Sequence, residues 1–97
     1  MMTREEYLFT VLNEELAEVI KEISKCLRFT KDHKPPQYCT TNIQRVRDEL
    51  ADTFAIIQML REEGVNLDIN FNRVDDKRAR VEALMEVSRE LGALEPL

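Results

Sequence analysis

Apolar residues recur every three or four positions over three long stretches of the chain, which is the spacing of an α-helix. The first stretch begins at Thr3, where Thr3-x-x-Glu6 predicts a capping box, and continues to about Arg28 without glycine or proline. Its apolar positions are Leu8, Val11, Leu12, Leu16, Val19, Ile23 and Cys26. We therefore expect one long helix with a single apolar face.

The second stretch is predicted to be a helix from about Asn42 to Glu63. Thr41-x-x-Gln44 is again a capping box, and Gly64 is the residue type that favours the left-handed backbone just after a helix. The apolar stripe of this helix consists of Val46, Leu50, Phe54, Ile57 and Leu60. Ile56 and Met59 widen this stripe. The helix then has more apolar surface than one neighbouring helix can cover, which favours a symmetric dimer whose expected interface residues on this helix are Phe54, Ile57, Met59 and Leu60.

A third helix is predicted after a short turn, with Asn66 or Asp68 as its N-cap and an end before Gly92. Its apolar positions are Leu67, Phe71, Val74, Val81, Leu84, Val87 and Leu91. Lys77 or Arg78 takes the place of the apolar residue expected between Val74 and Val81. The pattern predicts an all-α protein, an antiparallel bundle of three main helices in one domain over residues 1–97, completed by dimerisation.

The segment from Phe29 to Thr41 lacks helical spacing and is predicted to be a loop. Pro35 and Pro36 enforce an extended backbone there. A loop of about a dozen residues is long for a small domain, and loops of this length are often functional or mobile. His33, the only histidine, lies in this polar loop and is interpreted as a solvated residue.

Acidic residues border the apolar stripes of the first two helices, as Glu14-Glu15-x-x-Glu18 and Glu49-x-x-Asp52. Residues three or four apart on a helix share a face, so four carboxylates can meet if the helices lie side by side. Such a cluster repels itself unless a divalent cation binds, and Mg²⁺ prefers oxygen ligands. A solvated charged surface is the other interpretation, since Glu22 can pair with Lys25.

Composition narrows the classes of function. The 97 residues carry a formal net charge of −5, which argues against general binding of nucleic acid or of a membrane surface. A small anionic ligand stays possible because a metal ion can reverse the local charge. Cys26 and Cys39 have no metal-finger spacing and are expected to be free thiols. With a charged N-terminus and no long apolar run, we expect a cytoplasmic protein.

The acidic arrangement resembles the signature of the MazG-like all-α nucleoside triphosphate pyrophosphohydrolases. In that family a Glu-Glu-x-x-Glu run is followed by Glu-x-x-Asp on a later helix. The residues that are similar to phage and bacterial members are Glu14-Glu15-Leu16-Ala17-Glu18-Val19-Ile20, Ser24-Lys25, Arg28-Phe29, Asp48-Glu49-Leu50-Ala51-Asp52 and Lys77-Arg78-Ala79-Arg80-Val81. The likeness covers the chain from about Leu12 to Ser88. The chain departs from the family in one respect: the stretch of sequence between the two acidic runs is wide, and the loop over residues 31–41 fills it.

The resemblance implies an NTP pyrophosphatase-like bundle that assembles as a homodimer or homotetramer. It also implies Mg²⁺-dependent cleavage of (d)NTP to (d)NMP and pyrophosphate, a nucleotide-pool housekeeping activity, in the host cytoplasm if the protein is phage-encoded. Matched residue by residue, the ligands of Mg²⁺ (or Mn²⁺) would be Glu15, Glu18, Glu49 and Asp52. Glu14 would orient or deprotonate the attacking water. The cations expected at the substrate are Lys25, Arg28, Lys77 and Arg80, with Lys77 also catalytic.

Other interpretations remain beside this one. Lys77, Arg78 and Arg80 also suit an ordinary helix surface, and Phe29, Tyr38 and Phe71 can stack on a base, although core packing is the simpler role for Phe71. Three amphipathic helices with a negative surface also suit a non-catalytic interaction module. A di-iron carboxylate bundle is discounted because it requires Glu-x-x-His pairs, and His33 is the only histidine.

Overall fold

The computed structural model describes residues 1–97 and contains helices but no strand. The three helices are α1 (Arg4–Phe29), α2 (Asn42–Glu62) and α3 (Phe71–Glu90). The all-α prediction is confirmed, and each helix lies within a few residues of its predicted bounds. None of the helices is both long enough and apolar enough to cross a membrane.

The chain divides into two compact units, Met1–Leu67 and Asp68–Leu97. The first unit contains α1 and α2, which pack against each other as an antiparallel hairpin. Arg4 at the start of α1 forms an ion pair with Glu63 just after α2. At the other end of the hairpin, Glu22 of α1 pairs with Arg45 near the start of α2 at 3.1 Å. The second unit contains α3, and a single domain over the whole chain stays a prediction.

Both predicted capping boxes are present. The Thr3 hydroxyl accepts a hydrogen bond from the backbone N–H of Glu6 at 3.1 Å, and the Glu6 carboxylate accepts one from the backbone N–H of Thr3. Thr41 and Gln44 exchange the same two bonds at the start of α2. Each box satisfies backbone donors that the first turn of a helix leaves free, so these local residues fix where α1 and α2 begin.

The ends of α2 and α3 depend on glycine. Gly64 and Gly92 have φ angles of 93° and 75°, which disfavour residues with a side chain. After α2, the N–H of Gly64 donates to Arg61 O at 3.0 Å and that of Val65 donates to Leu60 O at 3.1 Å. This is the Schellman motif, and it satisfies carbonyls that the helix itself leaves free. Both predicted helix ends are confirmed.

The predicted N-cap of α3 is wrong. The cap is Asn70, whose side-chain oxygen accepts a hydrogen bond from the N–H of Arg73 at 3.1 Å. Residues 65–70 are not helical, so Asn66 and Asp68 precede the helix, and Leu67 does not belong to its apolar face. Asn and Asp are nearly equal as caps, so residue type alone did not distinguish among the three candidates.

The hairpin has a small core. Its buried apolar residues are Leu8, Val19, Val46 and Leu60, and its buried polar residues are Glu22, Asn42 and Thr53. Leu50 and Phe54, which the pattern predicted to be buried, are 52% and 54% exposed. In the second unit, α3 contains no buried residue. Much of the predicted apolar surface is therefore exposed in a single chain.

Thr30 joins α1 to the loop in a strained conformation, with φ 72° and ψ 153°. It is the only non-glycine residue with a positive φ, a region that β-branched side chains rarely enter. Hydrogen bonds hold the backbone in place: Asn42 Nδ2 donates to Thr30 O, and the N–H groups of Asn42 and Ile43 donate to the carbonyls of His33 and Lys31, each at 2.9 Å. The strained residue and the start of the loop after it are thus anchored to the start of α2.

Replacing Thr30 with glycine is expected to stabilise the protein by about 1 kcal/mol, because the strain relieved exceeds the backbone entropy that glycine adds to the unfolded chain. Urea unfolding measures the change. Thr40→Gly is the matched control, since Thr40 lies in the same loop without a positive φ and should lose stability. Equal losses in both variants would refute the assignment of strain to Thr30.

Candidate metal centre

Three carboxylates meet on the face where α1 and α2 pack. Glu15 of α1 and Glu49 and Asp52 of α2 each offer an oxygen, and these oxygens lie within 4.8 Å of one another. Glu49 and Asp52 are three residues apart and therefore share a face of α2. Glu15 and Glu49 are half-buried, whereas Asp52 is exposed. Two of the acids are thus partly removed from water, and one edge of the cluster stays open to solvent.

The crowding of negative charge affects the titration of Glu49. Partial burial raises the pKa of the Glu49 carboxyl, and the negative charges of Asp52, Glu15 and Glu18 raise it further. Both effects disfavour the ionised form. A divalent cation among these oxygens would reverse the balance, because its charge favours ionised carboxylates.

Glu18 is not part of the group formed by the other three predicted ligands. Its charge acts on Glu49, but the side chain is exposed and does not belong to the group of three. Glu14 is also exposed, next to Glu15 on α1. Three of the four predicted ligands are therefore together, and the roles of Glu18 and Glu14 stay predictions.

The donor set suits a hard cation. Carboxylate oxygens are preferred by Mg²⁺, which usually keeps several waters and takes only one or two carboxylates together with substrate phosphates. The exposed Asp52 edge leaves room for such waters and phosphates. The chemistry of the donors is therefore compatible with a metal site.

The two predicted phosphate cations on α1 have partners within the first unit. Lys25 pairs with Glu22 at 3.2 Å, as predicted, and its Nζ lies 5.6 Å from the ring centroid of Tyr38. The Arg28 guanidinium lies 4.9 Å from the centroid of the Phe29 ring. A phosphate role for Lys25 would therefore compete with its pairing to Glu22.

The other two predicted cations, Lys77 and Arg80, are exposed on α3 in the second unit. Lys77 borders an open hollow with Arg73 and Val74, and Arg80 borders another with Arg73 and Asp76. Arg73, Lys77 and Arg80 follow one another at spacings of four and three residues, so they form a row of positive charge on one face of α3. This row can meet an anionic ligand, and its role with substrate stays a prediction.

A buried ionic network that the sequence analysis did not predict lies beside the acid cluster. Arg45 Nε donates to Glu22 Oε2 at 3.1 Å, Nη1 donates to Thr40 O at 2.9 Å, and Nη2 donates to Asn42 Oδ1. Burial alone would raise the pKa of Glu22, but the hydrogen bonds and charges of Arg45 and Lys25 outweigh it and lower the pKa. The network therefore ties α1, α2 and the loop together through ionised groups.

The sequence does contain a signal for this network. Glu22 lies seven residues after Glu15, and Arg45 lies four residues before Glu49, so each shares a helix face with a member of the acid cluster. Two antiparallel helices that bring Glu15 next to Glu49 must also bring Glu22 and Arg45 together.

Cys26 and Cys39 are both free cysteines, as the sequence analysis predicted.

Comparison of the chain with protein-family models, with curated proteins and with solved structures finds no match.

Proposed function

We propose that the protein is a Mg²⁺-dependent nucleoside triphosphate pyrophosphohydrolase of the MazG-like type, which converts a (d)NTP to the (d)NMP and pyrophosphate. The observation that supports this most is the group of Glu15, Glu49 and Asp52 oxygens within 4.8 Å of one another on facing helices. Their order in the chain is that of the family signature. A housekeeping role in the nucleotide pool follows from this activity.

The chemistry needs positioning and neutralisation of charge more than covalent catalysis. Glu15, Glu49 and Asp52 would hold Mg²⁺ or Mn²⁺, with Glu18 as a further ligand. The bound cation would neutralise the triphosphate and make pyrophosphate a better leaving group. The half-buried positions of Glu15 and Glu49 favour this role, because an ionised carboxylate in such a place benefits from a nearby positive charge.

The remaining residues act on the water and on the phosphates. Glu14 orients or deprotonates the water that attacks the α-phosphorus. Lys77 and Arg80 neutralise the outer phosphates, and Lys25 and Arg28 contribute positive charge at the end of α1. Attack at the α-phosphorus rather than the γ-phosphorus follows from the family resemblance, since helix spacing does not distinguish the two.

The products of hydrolysis test the proposal. The protein should be incubated with a panel of NTPs and dNTPs, with and without Mg²⁺, in water labelled with ¹⁸O. We expect equal amounts of monophosphate and pyrophosphate from at least one triphosphate, with the label in the monophosphate. Diphosphate with orthophosphate, or no hydrolysis of any member of the panel, would refute the assignment.

Glu14→Gln separates the water step from metal binding. If Glu14 acts on the attacking water, we expect kcat to fall by roughly 10²–10⁴-fold, the usual contribution of a general base, while Mg²⁺ affinity is little changed. Steady-state kinetics and calorimetry with Mg²⁺ measure the two quantities. A parallel loss of both would instead assign Glu14 to the metal site.

Self-association is part of the proposal, as a homodimer or a homotetramer built from dimers. Exposed apolar side chains on both helices of the hairpin support it: Leu16, Ile20, Ile23 and Leu27 on α1, and Ile43, Leu50 and Phe54 on α2. Monomeric proteins rarely expose apolar surface of this extent. Of the four α2 residues expected at the interface, Phe54 is exposed, Ile57 and Met59 are half-buried, and Leu60 is buried inside the hairpin.

Light scattering tests the association. We expect the mass of a dimer or tetramer at micromolar concentration, and a shift to monomer in Phe54→Lys, because a charge placed in an apolar interface is costly. Arg47→Ala on the exposed surface of the same helix is the control. A monomeric wild-type protein would contradict the expectation.

A non-catalytic interaction module is the second candidate function. The same exposed apolar side chains favour it, because they suit a partner protein as well as a second copy. The two functions differ in their need for metal: an interaction module would form its complexes without Mg²⁺ and would hydrolyse no triphosphate.

A further inference from the structure

A cavity of about 270 Å³ lies between the end of α1 and the loop that follows it. Aromatic rings line it, with Phe29 and His33 at a centroid distance of 6.3 Å and an angle of 43°, and Tyr38 from the far part of the loop. Gln37 and Lys25 also border it. Flat apolar surfaces with a few polar groups are the usual lining of a small-molecule site.

The loop that forms this cavity is held in one conformation. Thr30 adopts its strained backbone at the start, and Asn42, 0% exposed, donates hydrogen bonds to Thr30 O and His33 O at 2.9 Å. Arg45 places its guanidinium 4.2 Å from the centroid of the Tyr38 ring. Strain that the surrounding structure maintains is found most often at functional sites. The cavity is therefore preformed rather than dependent on a ligand.

The dimensions and the chemistry of the cavity suit a planar heterocycle. Drug-sized ligands occupy about 300–1,000 Å³, so this smaller space suits a single ring system. Nucleobases stack on aromatic side chains, and their edges carry both donors and acceptors. The Gln37 amide provides both kinds of group, and the His33 imidazole does so in its neutral form. Tyr38 is 41% exposed, so part of its ring is accessible to a ligand beside Arg45.

We propose that this cavity receives the base of the nucleotide whose phosphates would be held at Glu15, Glu49 and Asp52 through a divalent cation, an inference that rests on the proposed function. Asn42 at the cavity and Glu49 in the acid cluster are seven residues apart on α2. Seven residues make nearly two helical turns, so both lie on the same face, about 10 Å apart along the axis. A sugar with its phosphates spans a distance of this order.

Nuclear magnetic resonance tests base binding without any chemistry. The full chain in EDTA is titrated with deoxynucleosides, which carry the base but no phosphate. We expect nuclear Overhauser effects between base protons and the Tyr38 ring for at least one base. These should persist in Glu49→Gln, because the acid cluster does not contact the base. In Tyr38→Ala, the shift that binding causes in the base-proton resonances should be lost.

Kinetics give the second measurement. Tyr38→Ala is expected to raise KM for the preferred triphosphate roughly tenfold through loss of stacking, with kcat little changed. Tyr38→Phe keeps the ring and should retain KM, which separates stacking from loss of folding. Tyr7→Ala removes an exposed tyrosine near the start of α1, far along the helix from the cavity, and should change neither quantity.

The results distinguish the two proposals. Triphosphate hydrolysis with an unchanged KM in Tyr38→Ala, and no contact between base and Tyr38, would overturn the cavity assignment and leave the proposed function intact. Binding of a deoxynucleoside at Tyr38 in a protein that hydrolyses no triphosphate would support the cavity assignment and overturn the proposed function.

Discussion

Glu49→Gln is expected to lower Mg²⁺-dependent hydrolysis by more than about 100-fold. Glutamine keeps the size of the side chain and removes the charge that would hold the cation. Groups that only support a metal ligand cost about 10–100-fold when they are lost, so loss of a ligand itself should cost more. Steady-state kinetics at saturating Mg²⁺ measure the change. Glu62→Gln, an exposed acid at the end of the same helix, should retain full activity.

The same substitution is expected to stabilise the metal-free protein at neutral pH. The pKa of Glu49 is raised in the folded protein by partial burial and by the charges of Asp52, Glu15 and Glu18. The ionised form therefore costs stability above the folded pKa, and this cost disappears below the pKa of the unfolded chain. Urea unfolding in EDTA should show Glu49→Gln more stable than wild type at pH 7 and equal to it near pH 3.5. A less stable variant at pH 7 would contradict the crowding of charge.

Arg45→Met is expected to cost about 3 kcal/mol of unfolding free energy. Glu22 is only 6% exposed and would keep Lys25 as its single cationic partner, and removal of one member of a buried ion pair costs about 3–5 kcal/mol. The carbonyl of Thr40 and the side-chain oxygen of Asn42 would also lose their donor. Urea unfolding measures the loss. Arg47→Met, an exposed arginine two residues away, should change stability by less than about 0.5 kcal/mol.

Two further measurements test the origin of this loss. In the double variant Glu22→Gln with Arg45→Met, the total loss should be smaller than the sum of the single losses, because the buried carboxylate that Arg45 compensates is also removed. The pKa of Glu22 is lowered in the folded wild-type protein. The contribution of the ion pair should therefore be complete at neutral pH and should be lost as the pH falls through that lowered pKa. Additive losses would refute the coupling.

Local signals predicted the helices well. Thr3 and Thr41 cap their helices through contacts within four residues, and Gly64 and Gly92 allow the backbone that ends a helix, so each boundary depends on neighbours in sequence. The start of α3 was predicted less well because Asn66, Asp68 and Asn70 are similar caps. The N-cap is the candidate at which the backbone changes from extended to helical, and residue type does not determine where that change occurs.

The acid cluster was predictable for a related reason. Glu49 and Asp52 share a face by spacing alone, and an antiparallel partner brings Glu15 to that face. Contacts between α1 and α2 were harder to predict from the sequence. The pairing of Arg45 with Glu22, for example, depends on the register of one helix against the other. Apolar periodicity likewise identifies a face without identifying what covers it, which is why Leu50 and Phe54 belong to the predicted apolar stripe and are nevertheless half-exposed in the single chain.

Calorimetric titration of the nucleotide-free protein with Mg²⁺ tests the metal site most directly. It measures binding to the carboxylates before any substrate or reaction contributes. We expect the wild-type protein to bind Mg²⁺, and Glu15→Gln and Asp52→Asn each to abolish binding while circular dichroism still shows intact helices. Undiminished Mg²⁺ affinity in both variants would contradict the assignment of Glu15, Glu49 and Asp52 as the metal centre.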